Sequence, residues 1–120
     1  MNRRDTDYLK AALNAIDAIV VYTRAGLERG VVFDAVCMRL IQIGEAVHGL
    51  SPAALARAPE TPPRAIVGVR YLLADADYEA LFDEVRTVVG RDLTPLGSAL
   101  QKILAEIDPD PTSPDLGGCD

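Results

Sequence analysis

No tryptophan occurs in the 120 residues, and phenylalanine and cysteine appear twice each and histidine once. Each scarcity excludes something. Cys37 sits inside an apolar run and Cys119 beside the last residue, a pair too sparse to frame disulfides or a metal site. Positive charge is also short: the formal net charge is -6, so the chain as a whole does not attract polyanions or anionic membranes, and any contact with RNA needs a local patch. Apolar residues do not run long enough to span a bilayer, and Asn2-Arg3-Arg4-Asp5 leads straight into an amphipathic pattern, with no apolar leader. A cytoplasmic protein with no membrane partner is the simplest expectation. No stretch alternates long enough for a sheet.

What remains is helical. Apolar residues form 49% of the chain, mostly Ala, Leu, Val and Ile, a mixture that fits one domain with a single core. The spacing of Leu9, Ala12, Leu13, Ile16 and Val20 predicts a first helix from Asp5 or Thr6, as N-cap, to about Ala25, with Gly26 and Gly30 bracketing the exit. The second, from about Val32 to His48, carries Val36, Leu40, Ile43 and Val47 as its stripe. Cys37, Met38 and Ile41 broaden that surface beyond one face, which suits a central or interface helix. Gly44 implies a close helix contact and Gly49 a C-terminal stop.

A short turn is expected around Pro52–Arg57, and Thr61-Pro62-Pro63 signals the start of a third helix bearing Ile66, Val69 and Leu73. Asp75 and Asp77 can cap a fourth helix, from Tyr78 to about Val89. Gly90 and Thr94-Pro95 then interrupt or bend the chain before a last helix with Leu96, Leu100, Ile103, Leu104 and Ile107. Beyond that the acidic, Pro/Gly-rich stretch reads as a mobile tail. The expected domain is 5–107, with 108–120 as its tail.

Four stretches, in order, resemble one family. They are Asp7-Tyr8-Leu9 through Ala15-Ile16; Ile43-Gly44-Glu45-Ala46 followed by Leu50-Ser51; Pro63-Arg64-Ala65-Ile66-Val67-Gly68-Val69-Arg70; and Asp92-Leu93-Thr94-Pro95-Leu96. Together they are similar to the HepT-like branch of the HEPN family. The resemblance implies an all-α, antiparallel four- to five-helix HEPN bundle that homodimerises. It also implies a toxin–antitoxin setting in which the partner is a minimal nucleotidyltransferase antitoxin. Active members cleave RNA without a metal or cofactor. Their motif is an Arg, a spacer and a His, with a Tyr two places on that the partner modifies in some systems. The Arg can hold a phosphate through two parallel hydrogen bonds, and the His can move the proton of the ribose hydroxyl or the leaving oxygen.

This chain departs from the motif where the chemistry lies. Arg70 is in place, Tyr71 stands at a position usually Asn, and Asp75 stands at the His position. With Phe82 aligned to the aromatic residue of the next helix, the loop that would carry His and Tyr is several residues short. An ordinary Asp cannot serve as the acid at neutral pH, and its charge repels a phosphodiester. Arg70 therefore has two readings, a retained phosphate clamp or an ion-pair partner for Asp75, Asp77 or Glu45. Asp75 and Asp77 read as helix caps, and Tyr78 as either a packing residue or a stand-in for the modifiable Tyr. Glu45 reads as a structural partner, Cys37 as core, and His48 as a complement to the dipole at a helix end. The function expected is a HepT-like protein that has lost RNA cleavage and acts as a dimeric, partner-binding protein. The alternative is an active metal-independent endoribonuclease toxin neutralised by its antitoxin. RNA binding is permitted by the resemblance and opposed by the charge.

Overall fold

The structure is a computed structural model and describes residues 3–61 and 77–108. Within them the chain is helical, with no strand. Helix α1 spans Arg3–Tyr22, α2 Val31–Gly49 and the short α3 Pro52–Leu55. After the undescribed segment come α4, Tyr78–Thr87, a π-helical turn over Val88–Asp92, and α5, Leu93–Ile107. The expected third helix after Thr61-Pro62-Pro63, the residues Arg70, Tyr71 and Asp75, and the tail beyond Asp108 lie outside the described residues.

Helices α1 and α2 pack side by side and run antiparallel. Tyr8, near the start of α1, meets Gly49 at the end of α2, and Tyr22, at the end of α1, accepts hydrogen bonds from Arg39 in mid α2 at 3.0 and 3.3 Å. The link between them turns through Gly26 and Gly30, both at positive φ (105° and 89°), where a side chain would be strained. Helix α5 lies against α1, with Gly97 facing Ile16. Salt bridges Arg57–Glu106 and Lys102–Glu60 fasten the α3 region to α5 on the exposed side.

The core follows from these contacts. The stripe expected on α2, Val36, Leu40, Ile43 and Val47, is buried throughout, as are Leu96, Leu100 and Ile103 on α5. On α1 the buried arc is Leu9, Ala12, Ala15, Ile16 and Ile19, whereas Val20, expected in the stripe, is 53% exposed. The arc is centred on Ala12 and Ile19, and Val20 falls at its edge. Met38, expected to widen the surface of α2, is 55% exposed, and Ile41 is half-buried.

One of the local expectations is corrected and two are refined. Asp5 is not the cap of α1: the helix already begins at Arg3, and Asp5 is buried in its first turn, accepting hydrogen bonds from Ser51. Gly49 does end α2, without a left-handed conformation: the cap is Leu50 in extended conformation, and glycine is needed at 49 because a Cβ there would stand 2.7 Å from the Tyr8 ring. The interruption expected around Gly90 and Thr94-Pro95 is present as the π turn over Val88–Asp92: the amide of Leu93 donates to the carbonyl of Val88, five residues back, and α5 then continues through Pro95. No helix among the described residues is long and apolar enough to cross a membrane.

Candidate functional site

Of the residues singled out in the sequence, Arg70 and Asp75 are outside the described residues, and Asp77 and Tyr78 form the visible edge of the motif region. Asp77, in extended conformation, caps α4, its carboxylate accepting from the Ala80 amide at 3.3 Å. Helix α4 then starts directly at Tyr78, so residues 71–76 alone separate Arg70 from the cap.

Tyr78 is not a loose loop residue. Its ring packs edge-on to Phe33 at the start of α2, with centroids 5.3 Å apart, and lies nearly parallel to Phe82 at 6.4 Å. Phe33 and Phe82 are themselves 5.2 Å apart. Arg29, from the link before α2, covers this group: its guanidinium carbon is 4.0 Å from the Phe82 centroid and 5.4 Å from that of Tyr78. The same guanidinium donates two parallel hydrogen bonds to Glu79, at 3.1 and 3.2 Å. A planar cation stacked on rings and forked onto a carboxylate is held in one orientation, which an ammonium could not match. The Tyr78 ring is thus packed against Phe33 and Phe82, although it remains 43% exposed.

Neither Arg29 nor the Phe33–Phe82 pair was singled out in the sequence. Arg29 and Glu79 are 50 residues apart, so no local pattern links them. A helical spacing marks Phe82 as core but does not say which cation covers it.

His48 lies at the other end of α2, exposed in its last turn. At 1.5 Å per residue, Phe33 and His48 are roughly 22 Å apart along the helix. Since Tyr78 packs on Phe33, the imidazole is not near the residues that follow the motif. Its position suits the partial negative charge of a helix C-terminus. Glu45 is exposed on the same helix. Cys37 is buried, and its thiol is pushed up to about 11, first by burial and second by the nearby Asp34 carboxylate. It is a core residue and not a nucleophile at neutral pH. Among the described residues no group of three or more His, Cys, Asp or Glu could hold a metal ion.

A groove of about 510 Å³ runs between the C-terminal half of α1, the π turn and the first half of α5. Its lining includes Ile16, Val20, Val89 and Leu93, with Arg24 and Ser98 among its polar members. No family model, no curated protein and no solved structure matches this chain.

Proposed function

We propose that this chain is a HepT-like HEPN domain of toxin–antitoxin type that has lost RNA cleavage and serves as a homodimeric protein binding a minimal nucleotidyltransferase partner. The observation that carries the reading is the start of α4. With Asp77 as cap and Tyr78 as first helical residue, only residues 71–76 lie between Arg70 and the cap, fewer than the resemblance implies, and none of them is a histidine. The one histidine of the chain is at the far end of α2, roughly 22 Å from the Tyr78 cluster. Antiparallel α1 and α2, with α4 and α5 packed beside them, agree with the bundle that the sequence resemblance implies. The exposed flank of α2 at Met38 supplies apolar surface for a second copy. The net charge of -6 opposes retention of an RNA substrate.

The test has two arms. Purified chain is incubated with labelled RNA in the presence of a chelator, beside an Arg70→Ala variant, and its association with a purified minimal nucleotidyltransferase is measured by calorimetry. The expected result is no cleavage above background and saturable protein–protein binding. Cleavage by the wild type that vanishes in Arg70→Ala favours the active toxin instead. Absence of binding removes the partner role.

A further inference from the structure

We propose that the groove between α1 and α5 is a binding site for a small amphipathic carboxylate, a straight apolar chain ending in one anionic head. The volume of about 510 Å³ lies in the range of ligand-sized clefts. The aliphatic part of the lining comes from three separate elements: Ile16 and Val20 from α1, Val89 from the π turn and Leu93 from α5, with Ile16 and Leu93 core side chains only 7% and 4% exposed. Val20, a lining residue, is 53% exposed, so the apolar wall faces solvent as the protein stands.

The head group is chosen by charge. Arg24 is the single charged side chain of the lining, and in a molecule of net charge -6 no carboxylate among the described residues pairs with it. The other cations nearby are already engaged: Arg91 is paired with Asp92 at 3.0 Å and Arg29 with Glu79 at 3.1 Å. Thr23, Thr94, Ser98 and Gln101 add neutral hydrogen-bonding groups to the lining. An apolar trough with one free guanidinium at its end selects a monoanion over a neutral or cationic amphiphile. The π turn contributes Val89 to the wall and interrupts the regular helix beside the groove, the setting in which such turns accompany ligand sites. This inference does not depend on the family reading.

The experiment is isothermal titration of the full chain with three ten-carbon probes: decanoate, decanol and decyltrimethylammonium. Decanoate is expected to bind one to one with Kd below about 1 mM, and decanol at least about tenfold more weakly, the size of one charge-assisted hydrogen bond. Arg24→Gln should erase the preference for decanoate over decanol. Val20→Glu, at an exposed helical position, places a carboxylate in the trough one turn before Arg24, where it can pair with it, and should abolish binding of both. Circular dichroism checks that both variants fold. No saturable binding of decanoate at 1 mM, decanol or decyltrimethylammonium binding as tightly as decanoate, or decanoate binding untouched by Val20→Glu overturns the proposal.

Discussion

The carboxylate of Asp5, 2% exposed, accepts two hydrogen bonds from Ser51, one from its amide and one from its hydroxyl, each 2.8 Å long. The two residues are 46 apart, and the pairing ties the start of α1 to the exit of α2. Ser51 Oγ also accepts from the Ala54 amide, so one hydroxyl both anchors to Asp5 and caps α3. Hydrogen bonds to a buried charge are worth more than neutral ones, and their loss strands the remaining donors. Asp5→Ala is expected to lower stability by about 2–3 kcal/mol, and Asp5→Asn, which keeps one acceptor, by less. Urea unfolding measures both as a shift in midpoint at constant slope. A change under about 0.5 kcal/mol for Asp5→Ala, the scale of a plain surface substitution, would show that water replaces the network.

Arg29 stacked on Phe82 and forked onto Glu79 closes the other end of the bundle. Replacing it with Lys keeps the charge and loses both the flat face and the fork. The urea midpoint of Arg29→Lys should therefore fall nearly as far as that of Arg29→Ala. Phe82→Ala, which removes a buried ring from beneath the cation, should cost about 3 kcal/mol. If Arg29→Lys matches the wild type, the contact is a simple ion pair with no contribution from stacking.

Much of this architecture was readable before the structure, and the reasons differ by element. Val36, Leu40, Ile43 and Val47 repeat at helical spacing on a helix flanked by others, so pattern and burial agree. On α1 the apolar band is wider than the surface that its neighbours cover. Periodicity alone cannot say which edge stays wet, which is why Ile19 is core and Val20 is not. The misreading of Asp5 has a related cause. An Asp before an apolar run is a good cap by local rules, and only the partner across the fold reveals the buried role. Of the candidate site, the capping role of Asp77 was legible, being local, whereas the sequence leaves Tyr78 two readings because its ring partner Phe33 and its cation Arg29 are far away along the chain. The Arg29 clamp and the groove on α1 were not legible, because each is assembled from segments far apart in sequence.

Cys37 gives a prediction with a definite sign. Its folded pKa is raised to about 11, so the native state keeps its proton where the unfolded chain, near 9.0, has lost it. The native state therefore binds more protons between those values, and stability attributable to Cys37 falls as pH rises through this window. Below pH 9 the contribution is fully present. The stability difference between wild type and Cys37→Ala should narrow from pH 9 to 11. Denaturant midpoints across that range check it, and a constant difference would mean that the thiol ionises as freely in the folded protein as in the unfolded chain.

The exposed flank of α2 predicts the oligomeric state. Met38 is 55% exposed and Ile41 half-buried on a helix whose other side is fully covered. Light scattering at micromolar concentration should give a dimer, and Ile41→Asp or Met38→Asp should shift it toward monomer. The Met38 variant should do so with its helical circular dichroism intact, since that side chain covers little of the core. A wild-type monomer, with Ile41→Asp unchanged in solubility, would assign this surface to solvent.

The last prediction concerns the chemistry implied by the resemblance. Metal-independent cleavage of RNA needs a cation to hold the phosphate and a group that titrates near neutrality within reach of the ribose. Arg70 offers the first. At the position of the second the sequence has Asp75, and an ordinary Asp cannot donate a proton to a leaving oxygen at neutral pH. Substitution at that position alone should not restore cutting. Helix α4 begins just beyond it, capped by Asp77, and Tyr78 is committed to Phe33, Phe82 and Arg29. Asp75→His should therefore remain inactive on labelled RNA in a chelating buffer, as should the wild type. An insertion before Asp77 that carries both a His and a following Tyr should produce cleavage, and Arg70→Ala in that background should remove it. The insertion lengthens the loop without disturbing the cap or the aromatic cluster, so the inserted protein should keep the helical circular dichroism of the parent. Activity in Asp75→His alone would mean that the short loop already presents position 75 correctly, and that the loss was chemical and not geometric.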